Sequence, residues 1–284
     1  MPEITSELVK ELREATNLGM MECKRALVEA EGDKEKAIRL LRERGMVIAQ
    51  KKASRTANQG LIASKVGADG KVGSLIEVNC ETDFVARNES FIAFVGGMAE
   101  RACGIDGNLA DVAGAELTAK VAEIGENLVL RRNIRYSVQG KGAVASYIHQ
   151  GGKIGVLIEV GCEKDESPAN PIFQEAVKDV LMHIAASAPG GSAYYLDPGA
   201  VPADVIAAER AIYAKQVEGK PANIVDKIVD GKIRKFYTQV CLLEQEFVKE
   251  PKLSVKAYLA ARGKELGDTL TVRRFARYQL GEQA

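Results

Sequence analysis

Residues Gly60 to Asp83 recur without a gap at Gly142 to Asp165: at an offset of 82 residues, 13 of 24 positions are identical, among them Gly70-Lys71, Leu75-Ile76-Glu77-Val78 and Cys80-Glu81. A match of this length constrains the fold more than composition does, because both copies must close around one pattern. The period exceeds the roughly 20–50 residues of stacked solenoid repeats and there are two copies, which predicts a duplicated subdomain. Each copy has an alternating apolar segment, a turn (Gly67 to Gly70, His149 to Gly152) and a second apolar run, the spacing of a β-hairpin, and each leads into a helical pattern.

Duplicated scaffolds share the residues that pack and differ where one copy has gained a task. After the shared aspartate the first copy reads Phe84-Val85-Ala86-Arg87 and the second Glu166-Ser167-Pro168-Ala169. The first hairpin turn has Gly67 where the second has His149. These two places are the first candidates for function. Phe84 has an acidic counterpart, so the scaffold does not demand an aromatic there; an exposed recognition role stands beside ordinary packing under the next helix. Met20-Met21, at a helix start after Gly19, carries the same two readings, since methionine serves both as core filler and as an adaptable contact.

The chain's 284 residues suffice for two or three domains with cores of their own. Thirty-nine basic and 39 acidic residues give a formal net charge of zero, which argues against non-specific nucleic-acid binding driven by counterion release. The basic clusters Arg131-Arg132-Arg135 and Arg273-Arg274-Arg277 are diluted by acidic neighbours. Five widely spaced cysteines without a CxxC pair fit a reducing compartment. Cys80 and Cys162, at equivalent repeat positions, read as small buried hydrophobes. No apolar run approaches a membrane span and Met1-Pro2-Glu3-Ile4 does not resemble a signal peptide, so a soluble, cytoplasmic protein without membrane attachment is expected. Phosphate-loop, dinucleotide-binding, HExxH and paired-cysteine zinc motifs are missing, so neither catalysis nor a cofactor nor a metal is expected. Of the two histidines, His183 lies in an apolar helix as a structural group, and His149 lies in a turn.

The predicted class is α+β. Residues 1–50 read as a module of three short helices: Ser6 caps the first, Gly19 ends it, Asp33 caps the third and Gly45 closes it, with 46–59 as a polar tether and 51–59 as the linker proper. A core N-subdomain, 60–140, holds the first hairpin, a helix from about Ser90, another near 116–125 and a strand at 128–138. A core C-subdomain, 141–284, holds the second hairpin, a helix at 171–187, an inserted helical hairpin at 202–240 turning at Gly219-Lys220-Pro221, a helix near 254–264 and a strand near 269–279.

The run Glu77-Val78-Asn79-Cys80-Glu81-Thr82-Asp83-Phe84-Val85-Ala86-Arg87 resembles the signature of the bacterial elongation factor Ts family, guanine nucleotide exchange factors for elongation factor Tu. Further matches run the length of the chain: Leu12-Arg13, Thr16, Gly19-Met20-Met21, Cys23-Lys24 and Ala26-Leu27; Ile124-Gly125-Glu126-Asn127; His149 with Gly151-Gly152-Lys153-Ile154-Gly155-Val156; Tyr195-Leu196; and Gly219-Lys220-Pro221. The C-terminal Gln283-Ala284 departs from the pattern.

The resemblance implies a ubiquitin-associated-like (UBA-like) N-terminal module and a helical hairpin that serves dimerisation or partner contact. It further implies that Thr82, Asp83, Phe84 and Val85 intrude beside the magnesium site of elongation factor Tu. Met20, Met21, Lys24, Ile124 and Gly125 would touch that partner's nucleotide domain, and His149 another of its domains. The chain itself would bind no nucleotide, nucleic acid or membrane. Whether it works as a monomer, a homodimer or a heterotetramer with the partner stays open.

Overall fold

The structure, a computed structural model, describes residues 4–186, 192–217 and 221–282. The readings placed on Met1-Pro2-Glu3, on Gly219-Lys220 and on Gln283-Ala284 fall outside them. Three helices open the chain: α1 (Ser6–Thr16), α2 (Met20–Glu29) and α3 (Lys34–Lys52). The first repeat unit is β1 (Gln59–Val66), β2 (Val72–Cys80), the one-turn helix α4 (Asp83–Ala86), α5 (Glu89–Ala102), α6 (Ala110–Ile124) and β3 (Val129–Ser137). The second is β4 (Gly142–His149), β5 (Ile154–Gly161), a 3-10 turn at Ser167–Ala169 and α7 (Pro171–Ala186). There follow the helical pair α8 (Ala203–Lys215) and α9 (Ala222–Val240), a small hairpin of β6 (Glu246–Phe247) and β7 (Glu250–Ser254), then α10 (Val255–Leu266) and β8 (Thr271–Gln279).

Two antiparallel three-stranded sheets result, ordered β1-β2-β3 and β4-β5-β8. Strand alternation assigns each sheet two buried faces. Ile76, Val78 and Cys80 of β2 point to α5 and α6, where Phe91, Val95 and Leu109 complete a core; Val156, Ile158 and Val160 of β5 do the same with α7 and α10. The opposite faces meet each other. Ile62, Leu75 and Tyr136 of one sheet pack on Val144 and Leu157 of the other.

This contact obeys the symmetry of the repeat. Ile62 N donates to Gly152 O and Val144 N to Gly70 O, both at 2.8 Å, and the hydroxyls of Ser64 and Ser146, equivalent residues, meet at 2.9 Å. The duplication also reaches further than the hairpins. Leu130-Arg131-Arg132 to Arg135-Tyr136 in β3 answers Val272-Arg273-Arg274 to Arg277-Tyr278 in β8, at an offset that has widened to 142 because the helical pair is inserted between them. Both units share a bulge, at Glu77/Val78 and at Glu159/Val160, which leaves Arg131 and Arg273 as the extra residues.

Several local expectations are corrected. Thr5, not Ser6, caps α1, its hydroxyl accepting from Leu8 N at 3.3 Å. Helix α5 begins at Glu89, one residue before the expected Ser90, because Asn88 caps it by accepting from Ser90 N and Phe91 N. Helix α6 starts at Ala110 rather than near 116, because the Asn133 side chain takes Leu109 N at 2.9 Å and Gly114 hides the start in the sequence. The largest change is at Gly45, which does not close α3; the helix continues to Lys52 and β1 begins at Gln59, so 46–59 is no tether and the 51–59 linker shrinks to 53–58. Glycine costs a helix about 1 kcal/mol, and packing outweighs it here. A Cβ on Gly45 would stand 3.3 Å from Ala122 Cβ, and Ala49 packs against the core of the first unit, so the module is docked on α6.

Close approach distinguishes two kinds of glycine. Gly142 has φ 141° and its Cβ would lie 2.2 Å from Val160 O, a backbone atom that cannot yield. Gly155 would meet Ile62 Cγ2 at 2.4 Å and Leu75 Cδ1 at 2.8 Å, side-chain ends that can repack. Gly142→Ala is therefore expected to cost roughly 3 kcal/mol or more, and Gly155→Ala about 1–3 kcal/mol, in urea unfolding. Equal costs at the two positions would contradict this reading.

Candidate functional site

Strand β2 ends at Cys80, and the chain turns through Glu81 and Thr82 into α4. Thr82 is the N-cap: its hydroxyl accepts from Val85 N at 3.3 Å and donates to Glu126 Oε1 at 2.6 Å. Glu126 Oε2 accepts from Glu81 N and Thr82 N, each at 3.1 Å. Asn127 N donates to Glu81 Oε1 at 2.6 Å, and Asn127 Nδ2 to Arg55 O at 2.7 Å. Asp83 occupies the first turn of α4, where a carboxylate complements the helix N-terminus, and pairs with Arg87 at 3.0 Å.

Ala86 and Val85 face the core, which turns Phe84 outward. Phe84 is 82 % exposed, whereas Phe91, Phe173 and Phe247 are fully buried. That exposure forgoes the roughly 1.5–3 kcal/mol that burial of such a side chain brings.

The second unit keeps the clamp and lacks the display. Asp268, equivalent to Glu126, accepts from Glu163 N at 3.0 Å, Lys164 N at 3.1 Å and the Ser167 hydroxyl. Burial pushes the Asp268 carboxyl up, but these donors, with Thr269 N, outweigh it and hold it at about 2. In Phe84's place stands Glu166, followed by the 3-10 turn with Pro168 instead of α4.

The other residues singled out from the sequence fall in three places. Ile124 and Gly125 end α6 directly before Glu126; Gly125 takes the left-handed conformation, φ 82°, and its carbonyl accepts from the Lys52 ammonium at the end of α3. They therefore join the Thr82–Val85 turn in one knot. Met20 and Met21, 55 % and 66 % exposed, lie on the first turn of α2, with Lys24 one turn on, and Met21, Lys24 and Val28 help line a shallow surface depression. His149 lies not in the turn but at the end of β4, paired with Ile154 of β5; it is half-buried, with its Nδ1 3.0 Å from the Tyr147 hydroxyl.

Glu81, Glu126 and Asn127 were not assigned a role from the sequence. Their signal becomes visible once Gly125-Glu126 is set against Gly267-Asp268 at the wider offset.

Reactive groups are withdrawn. Burial, helped by the nearby Glu126 charge, pushes the Cys80 thiol up to about 11, opposite to what a nucleophile requires. His183 is buried, its Nε2 3.0 Å from Gln245 Oε1 and its Nδ1 accepting from Val248 N; burial lowers its pKa. Among the described residues no cluster of three or more His, Cys, Asp or Glu could hold a metal ion, and no helix is long and apolar enough to cross a membrane. Arg131 and Arg132 pair with the buried Glu77, and Arg135 with Asp106, so this cluster is engaged within the chain. What the surface offers is an exposed aromatic on a braced turn.

The family described as "Elongation factor TS" matches residues 81–282, beginning at the braced turn. Elongation factor Ts of Nitratidesulfovibrio vulgaris is 44% identical over 284 residues, covering 99% of this chain and 97% of its own. Those of Clostridium perfringens, 44% identical, and of Nitratiruptor sp., 45%, each cover 98% of this chain and 93% of their own. The chain belongs to the elongation factor Ts family. Its departures from an evenly duplicated scaffold thus occur in a family of translation elongation factors.

Two expectations follow from this geometry. Phe84→Ala should shift unfolding free energy by no more than about 0.5 kcal/mol, as for a surface substitution, while Phe91→Ala should cost roughly 3–5 kcal/mol; a large loss at Phe84 would place it in the core. The depressed Asp268 carboxyl contributes stability that is present above its ordinary pKa, roughly 4, and is lost as pH falls towards about 2. Asp268→Asn should therefore flatten the acid limb of a stability–pH curve across that window.

Proposed function

We propose that this chain is a guanine nucleotide exchange factor of translation elongation that binds elongation factor Tu carrying GDP and promotes GDP release. The observation that carries the reading is Phe84, exposed on a turn braced by Glu126 in one copy of a duplicated unit and absent from the other. Family membership supports it independently.

Nucleotide held by a guanine-nucleotide-binding protein depends on a backbone cradle for its phosphates and on Mg²⁺. In the proposed mechanism Asp83 and Phe84 intrude beside that magnesium site, with Thr82 and Val85 holding the turn, and Phe84 wedges between partner side chains. The exposed Met20 and Met21 with Lys24, on a module we take to be UBA-like, and Ile124 with Gly125, engage the nucleotide domain; His149 engages another domain of the partner. The factor forms no covalent bond and acts as an allosteric ligand rather than as an enzyme of bond chemistry. By reciprocity, the factor by which it weakens GDP binding is the factor by which GDP weakens its own. It works in the cytoplasm, without nucleic acid or membrane, and binds no nucleotide itself; the helical pair suits either a homodimer or a heterotetramer with the partner.

Mixing the chain with elongation factor Tu loaded with fluorescent GDP should accelerate release. A central aromatic anchor is worth roughly 2–4 kcal/mol on truncation, so Phe84→Ala should slow the accelerated release on the order of 30- to 1000-fold. Calorimetric titration of GDP into the isolated chain should give no heat of binding. Saturable micromolar binding would point instead to a nucleotide-using enzyme.

A further inference from the structure

Phe84 can act as a wedge only if its turn resists the reaction force of the partner, and α4 is too short to supply that resistance: four residues make one helical turn, below the length at which a helix holds itself. The stiffness has to come from outside. Glu126 supplies it, because one carboxylate takes all three donors at the base of the turn, Glu81 N, Thr82 N and the Thr82 hydroxyl, at 3.1, 3.1 and 2.6 Å. Hydrogen bonds with one ionised partner are about twice as strong as neutral ones. Glu126 is itself fixed, following the left-handed Gly125 whose carbonyl receives Lys52, and preceding Asn127, which bonds both Glu81 and the Arg55 carbonyl.

We infer that Glu126 is a positioning residue for nucleotide exchange: it holds the Thr82–Phe84 turn rigid and aims Phe84, without being required to touch the partner. The inference rests on the exchange reading above. The scaffold provides its own control. Asp268 makes the equivalent clamp on a turn that carries Glu166 in place of Phe84, so removing that clamp loosens the same structure without disarming a wedge.

Release of fluorescent GDP from elongation factor Tu is measured against factor concentration for the wild type, Glu126→Ala, Glu126→Gln and Asp268→Ala, each checked for native circular dichroism. In Glu126→Ala the maximal release rate should fall roughly 10- to 100-fold, the scale of a misplaced reacting group, while the half-saturating concentration changes less than about 3-fold because the other contact surfaces remain. Hydrogen exchange at the amides of Glu81 and Thr82 should quicken in the same variant. Glu126→Gln keeps an oxygen for the two amides and a nitrogen that can donate to the Thr82 hydroxyl, so it should recover most of the rate. Asp268→Ala should leave the maximal rate within about 3-fold of wild type.

A wild-type maximal rate in Glu126→Ala despite quickened amide exchange overturns the inference. So does a loss in Glu126→Gln as deep as in Glu126→Ala, which would assign Glu126 a charge contact, or an equal loss in Asp268→Ala, which would assign it a general structural role. A wild-type chain that leaves release at the intrinsic rate defeats the exchange reading and this role with it, and is distinguished by the wild-type arm alone.

Discussion

Two carboxylates with no exposed surface, Glu77 and Glu159, govern how the halves of this molecule meet. A charge in that setting is costly unless its lone pairs are all engaged. Glu77 accepts from Arg132 Nε at 2.7 Å, and Glu159 from Arg274 Nε at 2.7 Å and Arg273 at 3.1 Å. Two of these arginines then reach across: Arg132 lies 4.1 Å over the Tyr278 ring and donates to Gln279 O, while Arg274 lies 4.2 Å over Tyr136 and donates to Ser137 O. Each carboxylate also takes a backbone amide from the other unit, Glu77 from Gly281 N at 3.3 Å and Glu159 from Gln139 N at 2.7 Å, so both are fully engaged only when the two units are in register. The contribution is therefore one of specificity: the apolar contact of the two sheets tolerates sliding, and the arginine network does not.

That rigid, symmetric base explains how one unit could change without the other. The carboxylate clamp after the second hairpin strand exists twice, as Glu126 and Asp268, and is a property of the scaffold. The turn it clamps differs between the copies: a proline-containing 3-10 turn in the second, a capped helical turn with an outward phenylalanine in the first. The outward phenylalanine thus stands on a turn that the shared scaffold already stiffens.

The repeat made both hairpins, their following helices and the inserted helical pair legible in the sequence, and its points of divergence led to Phe84 and His149. Structural equivalence beyond the hairpins was hidden because the inserted pair shifts β8 out of the 82-residue register, so Glu126 could not be matched with Asp268 by a single offset. Gly45 misled for a different reason. Glycine in a helical pattern signals an end when the chain alone is considered, and only the presence of Ala122 opposite reveals a contact that needs the missing side chain. The β6–β7 hairpin escaped notice because its strands are too short for a period, and the buried His183, which orders Val248, marks its place only in three dimensions.

The inserted pair α8–α9 enters and leaves the second unit at one spot: Tyr194 N and Tyr195 N both donate to Val240 O, and Leu242 N returns to Tyr195 O. Its apolar centre, Val217, Val229 and Ile233, is its own and separate from the core beneath. Because the two ends are pinned side by side, closing the loop costs nearly the same entropy whatever its length. A change in the length of the pair is thereby decoupled from the register of the sheet below, which rests on a core of its own.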